Sequence, residues 1–118
     1  MKIKDMFEQK KHLVSFEIFP PNKNFSHDKL KEVTAELVEY KPDFISVTYG
    51  AGGQTKGGTI EMASHIKNNL KTEVLAHLTC VGSKKNEIHD YLQEAKKCNI
   101  KNILALRGDV PQGETEDI

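Results

Sequence analysis

The sequence has 118 residues and a mass of 13.3 kDa, with 37% apolar and 29% charged side chains, the composition of one globular domain with a core and not of a disordered tail. Seventeen basic residues balance seventeen acidic ones, nine against eight in residues 1–59 and eight against nine thereafter, so no basic half exists to neutralise the phosphates of a nucleic acid. The longest wholly apolar run, Ile103–Leu106, falls far short of the roughly 20 residues a membrane helix needs, and Met1-Lys2-Ile3-Lys4-Asp5 offers no apolar signal core; the expectation is a cytoplasmic protein with neither nucleic-acid nor membrane partners.

In chain order, Met1–Lys10 places Ile3, Met6 and Phe7 on one side and predicts a short leading helix. Four apolar stretches then read as strands, Leu13–Phe19, Phe44–Thr48, Glu73–Thr79 and Ile103–Arg107, whose starts are about 30 residues apart. The intervening segments carry apolar residues at helical spacing: Leu30, Val33, Leu37 and Val38; Ile60, Ala63, Ile66 and Leu70; Ile88, Tyr91, Leu92 and Ala95. Ser26 or His27 is suited to cap the first of these helices and Thr59 the second, and Pro42 stops the first. A 30-residue repeat of strand and helix is the size of a βα unit with a right-handed crossover, so the fold class is α/β with a parallel sheet.

Strand parity separates the two main α/β architectures. Phe16, Ile18, Ile45, Val47, Val74, Ala76, Leu78, Leu104 and Leu106 form an apolar set that suits a helix layer. The other set, Ser15, Glu17, Phe44, Ser46, Thr48, Leu75, His77, Thr79, Ile103, Ala105 and Arg107, gathers its polar groups at the carboxyl ends of the strands. A doubly wound sheet is apolar on both faces, whereas a (βα)8 TIM-type barrel turns one face inward and collects polar groups at its carboxyl rim. The pattern favours the barrel. Such a barrel takes about 250 residues, so residues 1–118 are expected to be the amino-terminal half of one, truncated after four units.

Glu17, between Phe16, Ile18 and Phe19 and followed by Pro20-Pro21, is expected to be partly desolvated, which raises a carboxyl pKa and suits a general acid; the alternative is a solvated rim carboxylate. Gly50 to Gly58 is a glycine-dense loop before a helix, able to approach phosphate with backbone N–H groups, or simply a flexible rim loop; Lys56 precedes Gly57, so the Walker pattern fails. His77 reads either as a satisfied core histidine or as a site residue. His12, His27, His65 and His89 show no metal-ligand spacing, and Cys80 and Cys98 form no CxxC pair, so no metal is expected. Asn24-Phe25-Ser26 matches a glycosylation sequon, expected to be accidental in a chain without an export signal. Arg107 is the single arginine among seventeen basic residues, and its planar fork beside Gly108-Asp109 favours a ligand-binding role over a surface ion pair.

Four ordered motifs carry a resemblance: Val14-Ser15-Phe16-Glu17-Ile18-Phe19-Pro20-Pro21, Ser46-Val47-Thr48-Tyr49-Gly50-Ala51-Gly52-Gly53, Ala76-His77-Leu78-Thr79-Cys80, and Leu104-Ala105-Leu106-Arg107-Gly108-Asp109 with Pro111 and Gly113. In that order and spacing the chain closely resembles the methylenetetrahydrofolate reductase family from Val14 to Gly113. The resemblance implies a (βα)8 barrel holding FAD at its carboxyl rim and reducing 5,10-methylenetetrahydrofolate to 5-methyltetrahydrofolate, with NAD(P)H or another donor as reductant. By the same resemblance Glu17 is the general acid that opens the folate's imidazolidine ring. Asp109 stabilises the resulting cation beside the flavin, and Thr48, His77, Leu106, Arg107 and Gly108, with Asp109, contact FAD. Lys56-Gly57-Gly58 stands where the family commonly has Arg-Asp-Arg. A homo-oligomer is expected, because half a barrel exposes its inward parity. Two other functions compete: a non-catalytic half-barrel assembly module, and an unrelated barrel enzyme that binds a phosphorylated ligand.

Overall fold

The computed structural model describes residues 1–21, 26–49 and 58–108. Helix α1 (Ile3–Gln9) precedes strand β1 (Ser15–Ile18), followed by α2 (His27–Val38), β2 (Phe44–Val47), α3 (Gly58–Ser64), β3 (Val74–Thr79), α4 (Lys85–Lys97) and β4 (Ile103–Leu106). The strands form one parallel sheet in the order β1-β2-β3-β4, so each consecutive strand lies beside its predecessor as a repeated βα unit requires.

Local chemistry fixes the helix ends. Of the two caps the sequence offers for α2, Ser26 is the one used: its hydroxyl accepts from the Lys29 amide at 3.1 Å, and His27 is the first helical residue. Thr59 does not cap α3: it lies inside the first turn and its Oγ1 donates to the Thr48 carbonyl at 2.8 Å, tying the helix to the exit of β2. The segment continues beyond Ser64 as a π-helical turn, His65–Asn69, in which the Leu70 amide donates to the His65 carbonyl at 3.1 Å. Asn68 Nδ2 bonds the Ser64 hydroxyl at 3.1 Å and the Cys98 carbonyl at 2.9 Å, pinning that wide turn to the end of α4. The segments built on α2, α3 and α4 each return to the sheet through a left-handed residue: Lys41 (φ 55°), Lys71 (φ 58°) and Asn99 (φ 64°).

The core lies between the sheet and the helices. Ile18, Ile45, Val47, Val74, Ala76 and Leu78 are buried against Leu30 of α2, Ile60, Met62 and Ala63 of α3, Ile66 of the π-turn, and Tyr91 and Ala95 of α4. This is the parity that the sequence assigns to the helix layer in β1 to β3. In β4 the phase is reversed. Ala76 pairs with Ile103, His77 with Leu104, Leu78 with Ala105 and Thr79 with Leu106, so Ile103 and Ala105 share the helix face while Leu104 and Leu106 share the other face with His77 and Thr79. Ile103 packs against the core; Leu104 and Leu106 are 38% and 40% exposed. The sequence Ile-Leu-Ala-Leu is apolar on both parities and carries no phase information, so the hydrogen-bond register decides it.

That register is anchored at the amino end of the sheet. Asn102 Oδ1 accepts from the Ile3 amide at 2.9 Å and its Nδ2 donates to the Met1 carbonyl at 3.1 Å, while its own carbonyl accepts from the Ala76 amide at 3.0 Å. Beside it the buried Glu73 carboxylate accepts from the Met1 amine and from Lys67 Nζ at 2.6 Å. Helix α1 therefore closes the amino ends of β3 and β4, with Ile3 and Met6 half-buried and Phe7 59% exposed.

Candidate functional site

At the carboxyl end of the sheet, on the face opposite the helices, the residues singled out in the sequence come together across three strands. Glu17 of β1 pairs in register with Ser46 of β2, and Ser46 with Leu75 of β3, two residues before His77. Glu17 and His77 reach toward one another across the short Ser46 side chain, leaving Nε2 of the imidazole 3.8 Å from Oε1 of the carboxylate. That separation is beyond a hydrogen bond and makes an ion pair when the imidazole is protonated. Ser46 is buried. It stands on the intervening strand and on the same face, a place its small size does not advertise in the sequence.

The two partners differ in environment: the His77 side chain is 10% exposed and that of Glu17 63%. The desolvation expected of Glu17 is therefore not present in this chain, because the neighbouring residues Phe16 and Ile18 face the helices and leave the carboxyl over an open sheet face.

Thr48 follows β2 directly. Its amide donates to the Ile18 carbonyl at 2.9 Å and its carbonyl accepts from Thr59, so the exits of β1 and β2 and the start of α3 are joined at this residue. On the other side of His77, β3 and β4 remain joined past their strand ends: Cys80 donates to the Leu106 carbonyl at 2.9 Å and Val81 to that of Arg107 at 2.8 Å. Gly108 then turns at φ +87°, and a Cβ there would stand 2.8 Å from Val81 Cγ1 and 3.0 Å from Thr79 Cβ, so both conformation and space require glycine.

Arg107 is exposed and stands one residue past β4. The alternation expected to carry Ile103, Ala105 and Arg107 inward runs the other way, and the reversal instead brings Leu106 to the face of Glu17 and His77. Asp109 and residues 50–57 of the glycine loop lie outside the described residues, as do Asn24 and Phe25 of the sequon.

Tyr91 of α4 was legible only as a core position. Its hydroxyl donates to the His77 carbonyl at 2.6 Å, and its ring lies 5.6 Å from that of Tyr49, tilted by 57°. Burial, with Tyr49 and Glu94 nearby, raises the Tyr91 phenol well above its ordinary pKa and keeps it a donor.

An open sheet face, a carboxyl and an imidazole at its carboxyl rim and a glycine turn beside them form the arrangement from which a parallel α/β enzyme builds its site. Comparison with known proteins gives the chain a family. The family model described as methylenetetrahydrofolate reductase matches residues 2–117. The chain belongs to the methylenetetrahydrofolate reductase family. It is 41% identical over 113 residues to methylenetetrahydrofolate reductase (NADH) 1 of Arabidopsis thaliana, covering 96% of this chain and 19% of that protein. It is 36% identical over 100 residues to the 5,10-methylenetetrahydrofolate reductase of Escherichia coli (strain K12), covering 85% of this chain and 34% of the relative. Methylenetetrahydrofolate reductase 2 of Schizosaccharomyces pombe is 36% identical over 115 residues, 94% of this chain and 18% of the relative. The chain thus spans between about a fifth and a third of the length of these reductases. The reductase family is built on a TIM barrel, and the parallel sheet with its helices on one face corresponds to the first four βα units.

Proposed function

We propose that this chain forms the amino-terminal part of the catalytic barrel of a methylenetetrahydrofolate reductase, reducing 5,10-methylenetetrahydrofolate to 5-methyltetrahydrofolate with FAD and a nicotinamide donor. The observation that carries the reading is the meeting of Glu17 and His77 at the carboxyl rim of a sheet whose whole length matches the family.

The chemistry of the donor set suits a flavin dinucleotide. Leu104 and Leu106 present apolar surface on the open face, Thr48 and His77 offer hydrogen-bonding groups beside it, and the Arg107 guanidinium has the planar fork that pairs with a diphosphate. Thr48, His77, Leu106, Arg107 and Gly108 would hold the group, with Asp109 next in sequence. When bound, FAD supplies hydride transfer between donor and folate. Glu17 gives its proton to the folate nitrogen that leaves as the imidazolidine ring opens, and Asp109 offers a fixed negative charge to the cation so formed. The names of the plant relatives point to NADH as donor. The exposed Leu104 and Leu106 and the edge strands β1 and β4 favour association with further structure, including a second copy of the protein.

The test is to purify the full-length protein and assay it with NADH or NADPH and 5,10-methylenetetrahydrofolate. The reading expects bound flavin absorbance and stoichiometric 5-methyltetrahydrofolate. A folded protein that binds no flavin and forms no 5-methyltetrahydrofolate would refute it.

A further inference from the structure

Pairing between β2 and β3 ends at Val47 and Ala76. The next carbonyl of β3 is that of His77, and there the Tyr91 hydroxyl on α4 takes the place of a ladder partner, donating at 2.6 Å from a site that is 8% exposed. The same ring packs on Tyr49, the residue directly after Thr48. One helix side chain thus holds the exits of two adjacent strands where each presents a rim group, Thr48 from β2 and His77 from β3. On the β4 side, β3 is held independently by the Cys80 bond to Leu106, so Tyr91 supplies the restraint on the β2 side.

We infer that Tyr91 is a positioning residue for the cofactor site: its hydroxyl fixes the main chain at His77, and its ring fixes the exit of β2, so that imidazole and Thr48 stand ready before the ligand binds. This rests on the proposed flavin reading of Thr48 and His77. The physical content is preorganisation. A buried hydrogen bond to a strand carbonyl removes freedom from the rim that binding would otherwise have to remove. The phenol stays protonated because burial opposes its ionisation, so the restraint persists across the working pH range.

Tyr91→Phe deletes the hydroxyl and keeps the ring on Tyr49. In the full-length protein stripped of flavin and titrated with FAD by fluorescence quenching, Tyr91→Phe is expected to bind FAD about three- to tenfold more weakly, the scale of one lost hydrogen bond. A purely structural role would weaken the fold without depending on His77, so the decisive readout is a double-mutant cycle. In a His77→Ala background, adding Tyr91→Phe is expected to leave FAD affinity unchanged to within about twofold. Equal losses in both backgrounds, or a Tyr91→Phe protein with wild-type FAD affinity, would overturn the inference while leaving the flavin reading intact. Wild-type protein that fails to take FAD would remove the reading and the inference together. Should Tyr91→Phe fold poorly, Tyr49→Leu, which removes the ring contact alone, is expected to lower FAD affinity in the same direction, and an unchanged affinity would count against the inference.

Discussion

Glycine is demanded for different reasons at two points near the site, and the difference is measurable. Gly82 turns at φ +73° with no atom of the described residues within 4 Å of where a Cβ would stand, whereas Gly108 at φ +87° has the Val81 and Thr79 side chains against it. Gly82→Ala carries the backbone penalty alone, about 1–2 kcal/mol. Gly108→Ala adds a clash and should cost more, with a larger fall in thermal midpoint; equal falls would mean the chain shifts freely there. At the opposite end of the sheet, burial by itself pushes the Glu73 carboxyl up, but Lys67, the Met1 amine and the Val74 amide more than offset it and hold it below its ordinary value of 4.5. A carboxyl depressed in the folded state contributes stability that is complete above its unfolded pKa and is lost as pH falls through the folded value. Glu73→Gln should therefore flatten the acid side of the stability profile, measured by thermal melts at descending pH. An unchanged acid limb would contradict the role given to this pair. Glu17 and His77 were legible as site candidates because polar side chains interrupt apolar strands. Ser46 and Tyr91 were not, since a small residue and a core aromatic look the same whether or not they serve a site.

Strands, helices and their order followed from apolar spacing, and the structure departs from that reading where spacing has no information. Strand β4 is apolar on both parities, and its phase is set by Asn102, whose side chain binds α1 while its carbonyl joins β3. No local pattern encodes a bond to a residue about a hundred positions away. The returns from helix to strand were equally hidden, because two of the three left-handed residues are lysines in place of the glycine expected at a helix end. Lysine in that conformation costs about 1 kcal/mol, and asparagine less. Lys71→Gly is accordingly expected to leave the protein as stable or up to about 1 kcal/mol more stable, with Asn99→Gly nearer neutral. Denaturant midpoints check this, and a clear loss at Lys71→Gly would show that its side chain, not its backbone, matters there.

At the scale of the molecule, a parallel four-stranded sheet buries one face under its helices, and the repeated βα unit places Glu17, Thr48 and His77 at the same end of it. The barrel class was legible because polar groups cluster at strand ends on one parity. The openness of Glu17 was not, since exposure depends on what lies over the sheet and not on the strand that carries it. The central claim is that this carboxyl is the proton donor of folate reduction, and stopped-flow resolution of the two half-reactions in the full-length protein tests it most directly. Glu17→Gln keeps size and hydrogen bonding but has no acid proton. Flavin reduction by the nicotinamide donor should proceed near the wild-type rate, while reoxidation by 5,10-methylenetetrahydrofolate falls by roughly a hundredfold or more. Reoxidation of the Glu17→Gln flavin by the folate at the wild-type rate would contradict the account and return Glu17 to a solvated carboxylate at the rim.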